Sequence, residues 1–291
     1  MSGRMSPLVL ATLLGCLVGV GCQKESRSDG TSSGEAGVLD AAGIAHVFAT
    51  PALRIVSLVP SATMTLYAIG AADHVVGRTD FDHQAWVADL PSVGGGLEPN
   101  LEAIVALSPD LVIRFGGAQD PRTATRLDAL GIRHVAVRPD HIEDIYSTAA
   151  LLGQATGRSA AADSLTAWIQ AGLAEIERGV QDWPRLRVAY VLGGSPPWVA
   201  GPDSYVAEVI SLLGGDNTFA DLGELYAAVS PEEFRVRAID VVLVSAHGDF
   251  DASLAPDARV VVIGGGLEIP GPGLVTAARE IAGLMHGRPL R

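Results

Sequence analysis

Residues 159–183 read SAAADSLTAWIQAGLAEIERGVQDW, and the rest of the chain is arranged around them. Apolar residues recur at Leu165, Trp168/Ile169, Leu173, Ile176, Val180 and Trp183, the three-to-four spacing that lines one face of a helix. Ser159 stands where an N-cap belongs, and Pro184 ends the run. About 24 helical residues rising 1.5 Å each make a rod of roughly 36 Å, the width of a small domain. The half of the chain before this rod resembles the half after it.

Before it, residues 54–59 and 75–77 read as short strands, 100–107 as a helix, 111–114 as a strand, 123–130 as a helix closed by Gly131, and 134–137 as a strand. Asp140-His141-Ile142-Glu143 has the form of a capping box opening a further helix that Gly153 or Gly157 ends. After Pro184 the pattern begins again: a strand at 186–191, a loop at 193–198, a helix at 204–213, a helix opened by Ser230-Pro231, strands at 240–244 and 260–263, and a last helix at 272–285. Strands alternating with helices imply parallel pairing and an α/β sheet. Ile55 precedes Glu102 by 47 positions, and Val188 precedes Glu232 by 44; LEAIVALSPDLVI in one half answers PEEFRVRAIDVVLV in the other. The expectation is therefore two similar lobes, at 53–141 and 184–291, separated by connecting helices at 142–183.

The chain has 291 residues and a net charge of −13, which argues against a nucleic-acid partner. Residues 1–21 form a targeting segment, with Arg4 ahead of an apolar run at 7–20 that is short for a membrane span. Gly19-Val20-Gly21-Cys22, with polar residues after it, resembles a bacterial lipobox in which Cys22 is lipidated. Gly19 departs from the usual leucine. Leu13-Leu14-Gly15-Cys16 fits better at that position, but apolar residues come after it. No cysteine lies beyond Cys22, so no disulfide is expected. The mature chain is expected outside the cytoplasm, on the periplasmic or cell-surface side, held at a membrane face by lipid. Residues 26–45 are rich in Ser, Gly, Asp and Ala, and 22–52 is read as a flexible tether.

The stretches RIVSLVPSATMTLYAIGAADHVVG (54–77), NLEAIVALSPDLVI (100–113), SPPWVAGPDSYVAEVISLLGGDNTF (195–219) and VSPEEF (229–234) resemble, in this order, the helical-backbone class of bacterial ABC-transporter solute-binding proteins. That class carries cobalamin, haem and ferric siderophores, and the likeness is greatest to periplasmic cobalamin-binding proteins. The resemblance implies an α/β fold of two similar parallel-sheet lobes joined by one long rigid helix, with a ligand cleft between them; one stiff helix in place of paired flexible strands is in turn expected to allow only small closure. It also implies an acidic residue on each lobe that docks on arginines of an ABC importer's permease dimer. By position these are Glu102 and Glu232. Both also sit in a helix first turn, where negative charge is favourable in its own right. Glu233, three residues after Ser230, has capping-box spacing.

Aromatic residues make up 5% of the chain, so their placement is informative. Phe81 and Trp86 fall in the first long loop, Phe115 just after a strand, Trp198 in the loop after the first strand of the second half, and Tyr226 before the helix at Ser230. Open α/β sheets place ligands at such strand ends, and all five are candidate ligand contacts. The resemblance places the cobalamin-contacting aromatics near Phe81, Phe115, Trp198 and Tyr226. The competing role is anchoring a loop into a lobe core, for Trp86 above all. Gly94-Gly95-Gly96 and Leu267-Glu268-Ile269-Pro270 stand where the resemblance leads one to expect more aromatic residues. Haem, a smaller corrinoid or a ferric siderophore therefore stay open as ligands. His83 beside Asp80 and Asp82, and His247 beside Asp249 and Asp251, invite a metal reading. The loop VPSATM, however, lacks the histidine that zinc and manganese binders of this fold carry, and the aspartates suit turns. Neither a metal nor a resident cofactor is expected. GGSPP is not a nucleophile elbow and GGGLEIPGPG is not a dinucleotide loop, so the expected role is binding; the reading from another class is an exported enzyme or interaction domain.

Overall fold

The computed structural model describes residues 37–117 and 121–290. The expected targeting segment at 1–21, the expected lipidation residue Cys22 with its alternative Cys16, and the first part of the expected tether lie outside the described residues.

The described chain begins with a hairpin, β1 (Val38–Leu39) and β2 (Ala45–His46). Asp40 organises it. Its carboxylate, on a residue 7% exposed, accepts hydrogen bonds from the N–H groups of Ala42, Ile44 and Ala136 and from the His46 ring. Burial pushes the pKa of this carboxyl up, but these bonds outweigh burial and hold it below the usual range. Ala41 N–H donates to the Ala136 carbonyl, Arg133 stacks on Phe48 at 4.0 Å, and Ala52 N–H donates to the Ala155 carbonyl. Residues 37–52, expected as tether, are thus a strap fastened along the first lobe. Their strands are two residues long, too short to show a period, and the fastening comes from groups scattered far along the chain, Asp40 foremost.

The first lobe continues through β3 (Ile55–Ser57), α1 (Pro60–Ala68), β4 (Val75–Gly77), α2 (Leu101–Ala106), β5 (Leu111–Phe115), α3 (Pro121–Ala129) and β6 (His134–Val137). Its sheet is wholly parallel, in the order β4-β3-β5-β6. β3 is buried along its whole length and β5 along all but Phe115, as expected for strands covered on both faces. The strap crosses the β6 edge, which would otherwise present unpaired backbone groups.

Two helices come next, α4 (Ile142–Thr156) and α5 (Ser159–Val180). The second lobe comprises β7 (Leu186–Gly193), β8 (Trp198–Ala200), α6 (Tyr205–Leu212), β9 (Gly215–Asn217), β10 (Tyr226–Ala228), α7 (Pro231–Val236), β11 (Val241–Val244), β12 (Arg259–Val262) and α8 (Leu274–His286). Its parallel part, β9-β7-β11-β12, repeats the first lobe's order. An antiparallel ribbon, β8 and β10, extends the far half of β7. The second sheet is therefore mixed, and the segment expected as loop at 193–198 leads directly into a strand.

The repeat is visible in its fastenings. Asp110 accepts the N–H groups of Leu53 and Arg54 at 2.8 and 3.0 Å, and Asp240 accepts Arg187 N–H at 2.8 Å together with its guanidinium. Each aspartate closes the turn ahead of one central strand onto the start of the other. The alternation of exposed and buried residues is also the same over 102–108 and 232–238.

Both α4 and α5 enter both cores. Ile145 near the start of α4 belongs to the second lobe's core, while Ala149, Leu151, Leu152 and Ala155 belong to the first. α5 runs the other way: Ala162 is buried in the first lobe, and Ile169, Leu173, Ile176 and Val180 in the second, with Leu165 touching both. The single connecting rod expected from sequence is thus one arm of an antiparallel pair. With 22 residues, α5 spans about 33 Å. Ile169 rather than Trp168 is buried, and Trp168 is 52% exposed. The N-terminal fastening of α4 uses Asp144, which accepts the N–H groups of Asp140 and His141, one position later than the expected Asp140/Glu143 box. The turn between the helices is set by Gly157 at φ 68°. Gly153 permits their closest approach, since a Cβ there would lie 2.6 Å from that of Ala162. Gly153→Val is expected to cost about 1–3 kcal/mol through overpacking. The check is a two-probe thermal melt, in which both lobes should lose stability together.

Candidate functional site

A cavity of about 520 Å³ lies between the lobes. The first lobe contributes Leu58, Pro60, Ser61, Phe81, residues 95–98, Phe115 and Pro139; the second contributes Glu268, Ile269 and Pro270. The lining is mainly apolar with a few polar groups, the usual character of a small-molecule site.

Local chemistry explains each wall. Asp82, 2% exposed, accepts Thr79 N–H at 2.9 Å and its hydroxyl at 2.7 Å, and Phe81 N–H donates to Thr79 Oγ1 at 3.2 Å. This tight turn leaves the Phe81 ring 61% exposed at its tip. Phe115 ends β5, where the strand emerges from the sheet. Gly96 passes beneath it. A Cβ at Gly96 would lie 2.4 Å from the Leu58 carbonyl oxygen and 2.9 Å from the Phe115 ring, so this position has no room for the aromatic side chain expected nearby. On the second lobe, Glu268 accepts Ala246 N–H at 2.9 Å and the Ser245 hydroxyl. Burial pushes the Tyr190 hydroxyl pKa well up, and the Glu268 charge adds to this. Ser245 and Ala246, just past the end of β11, thus fix Glu268 at the cavity.

Of the five aromatics singled out in sequence, Phe81 and Phe115 share this cavity. Trp198, 49% exposed, and Tyr226 lie on the β8–β10 ribbon and do not line it. Tyr226 packs against the second lobe's core, and burial, followed by Asp140, pushes its hydroxyl pKa up to about 12. Trp86 stacks on Tyr67 at 5.2 Å and packs on the first lobe's core, which is the anchoring role. Sequence reasoning placed the loop at 267–270 near the ligand but named none of its side chains as contacts, and it passed over Leu58, Pro60 and Glu98. The Pro60-Ser61 step after a strand was a signal available for the first two.

Glu102 and Glu232 are exposed in the first turns of α2 and α7. Asn100 accepts Ala103 N–H at 3.1 Å and so caps α2 without help from Glu102. The Glu232 carboxyl is held below the usual range by its own N–H and then by the Ser230 hydroxyl. Glu233, expected to complete a capping box, instead pairs with Arg237 at 2.9 Å. Asp82, Asp249 and Asp251 accept backbone N–H groups in turns. Among the described residues no group of three or more His, Cys, Asp and Glu is arranged to hold a metal ion. A larger groove, about 1000 Å³, runs between α5 and α8 beside Trp168 and involves only the second lobe and its helix.

At the junction of lobe and helix pair, Glu208 of α6 accepts Ile142 N–H and bonds His141 Nδ1, both at 2.7 Å. A carboxylate thereby caps α4 from the second lobe. The Glu208 bond, opposed by partial burial and aided by the charges of Glu208, Asp144 and Asp140, raises the His141 pKa.

Comparison with known proteins points to one family, and the solved structures that share its fold include haem-binding proteins as well as a vitamin B12 binder. The periplasmic haem-binding protein of Vibrio cholerae, for one, superposes with a TM-score of 0.71 at 22% identity, covering 80% of this chain and 99% of that one. The family described as "Periplasmic binding protein" matches residues 55–259. The chain is 33% identical over 218 residues to a cobalamin-binding protein of Halobacterium salinarum, covering 72% of this chain and 58% of that one. It therefore spans little more than half the length of that relative. It is 31% identical over 199 residues to a vitamin B12-binding protein of Yersinia pestis, covering 68% and 71%. Among solved structures, the periplasmic vitamin B12 binding protein of Vibrio cholerae superposes with a TM-score of 0.71 at 25% identity, covering 80% of this chain and 96% of that one.

A raised folded-state pKa means that the His141–Glu208 latch contributes fully below the ordinary histidine value of about 6.5 and is lost as pH rises through the raised value. Thermal midpoints of the native chain and Glu208→Gln are expected to differ more at pH 5.5 than at pH 8.5. An equal difference at both would mean that the latch does not titrate.

Proposed function

This chain belongs to the periplasmic binding protein family, and from that premise we propose that it captures a corrinoid of the cobalamin type between its lobes and delivers it to an ABC importer. The observation that carries the reading is the interlobe cavity, with Phe81 and Phe115 across a glycine floor and an apolar rim from the other lobe. A corrin ring has broad apolar faces and a polar edge, which suits aromatic walls with a few placed polar groups. A corrinoid is bulkier than this cavity, so its remainder would extend along the cleft toward Trp198 and Tyr226. The names of the relatives at 33% and 31% identity support the same ligand class.

Delivery rests on Glu102 and Glu232, equivalent exposed carboxylates on the two lobes, which would meet basic residues of a permease dimer and set orientation more than affinity. Lipidation at Cys22 would hold the protein at the membrane face on the exported side. The paired α4 and α5, each packed in both cores, favour a stiff connection and a small closure on binding. The role is binding without chemistry on the ligand, as in the family.

Calorimetric titration of the mature chain with cyanocobalamin, haemin and a ferric hydroxamate tests the ligand. Saturable binding of cyanocobalamin is expected, weakened at least tenfold by joint Phe81→Ala and Phe115→Ala substitution. Preference for haemin or the siderophore would move the reading to that ligand, and binding of none would end it. Joint substitution Glu102→Ala and Glu232→Ala is expected to leave affinity within about twofold while uptake through the cognate permease collapses. Lost affinity would show that these residues serve the cleft instead.

A further inference from the structure

Resting on the corrinoid reading of the cleft, we propose that Glu268 is a specificity residue: it admits ligands whose rim carries amides and turns away those whose rim carries carboxylates.

Among the described residues lining the cavity, only Glu98 and Glu268 are ionisable, and both are acids. They differ in how they are held. Glu98 has a side chain 85% exposed, and Arg122 lies 3.6 Å away, so water and a neighbouring cation blunt its field. Glu268 has a side chain only 23% exposed. One of its oxygens is fixed by Ala246 N–H and the Ser245 hydroxyl. That leaves the other oxygen as a positioned acceptor.

The cations nearby do not reverse the sign. Arg138 is paired with Asp140, and Arg114 is buried and donates to the Phe115 carbonyl and the His134 ring. His247 Nε2 stands 3.9 Å from that second oxygen, Oε2, beyond hydrogen-bond distance and with its side chain 87% exposed to water.

An ionised carboxylate only accepts hydrogen bonds. A primary amide on a corrin edge can donate to it in a charge-assisted bond. A carboxylate on the same edge brings like charge against a group that cannot rotate away, in a site partly shielded from water. The ordering is thus acceptor against donor for amide-rimmed corrinoids, and charge against charge for acid-rimmed corrinoids and for the two propionates of haem.

Dicyanocobinamide, with amides on its rim, and dicyanocobyrinic acid, with carboxylates, are the probes for calorimetric titration of the full mature chain at pH 7.5. The native chain is expected to favour cobinamide at least 100-fold. Glu268→Gln keeps an acceptor for Ser245 and Ala246, so its thermal midpoint should hold. Its preference should fall at least tenfold, mainly through tighter binding of the acid. Glu268→Ala should lose the same discrimination, and Glu98→Gln should change the ratio less than threefold. An unchanged ratio in both Glu268 variants overturns this proposal while leaving the corrinoid function standing. An equal effect from Glu98→Gln overturns it too, by showing a diffuse field. A native chain that binds neither probe overturns the function and this proposal together.

Discussion

The contact of Gly153 with Ala162, backbone against methyl, is the constraint on which the two-lobed arrangement depends. It lets α4 and α5 lie close enough to act as one antiparallel unit. Each helix has its own apolar face divided between the two cores: α4 gives Ile145 to the second lobe and Ala149 to Ala155 to the first, while α5 gives Ala162 to the first and Ile169 to Val180 to the second. A lobe cannot swing without dragging buried side chains of both helices. A single helix can bend or rotate about its axis. Two helices locked side by side resist both, because a bend in one must be matched along the shared seam.

On the proposed stiff connection the cleft keeps its dimensions, and its walls are each held locally. Gly96 is pinned between the Leu58 carbonyl and the Phe115 ring, so the floor cannot thicken. Phe81 is held at the tip of a turn built on buried Asp82. Glu268 is tied to the second lobe's core through Ser245. Glu208, reaching from α6 to the first turn of α4, ties that same lobe to the place where the chain leaves the first sheet. Each cleft feature is thus set by a hydrogen bond or close approach on its own lobe, while the helix pair sets the distance between them.

Much of the fold was legible in the sequence. The long helix announced itself by periodicity, and the repeat by the matched segments ending in Asp110 and Asp240, whose carboxylates make equivalent bonds. What escaped was short or depended on distant partners. β8, β9 and β10 have three residues each, below the length at which alternation is readable. The strap at 37–52 looked like a linker because its hold comes foremost from one aspartate and a strand almost a hundred positions away. Of the five cleft aromatics proposed from sequence, the structure gathers Phe81 and Phe115 at the cavity, since position at a strand end does not say which way a ring turns. Trp86 turned inward to Tyr67.

The poverty of aromatics in this cleft has a physical counterpart in its polar groups. A site walled all round by indole and phenol rings can hold a flat ligand by stacking alone, and stacking is tolerant of what the ligand carries at its edge. In the proposed corrinoid reading, two phenylalanines and a glycine floor leave Pro139 and residues 268–270, the fixed carboxylate among them, to meet the ligand's rim. With less stacking to rely on, discrimination falls to the few groups that are rigidly aimed, because an unpaired or like-charged contact in a partly buried site costs more than a missing apolar contact. In the proposed reading the helix pair adds to this, since a cleft held at constant width would keep Glu268 against an ill-suited ligand.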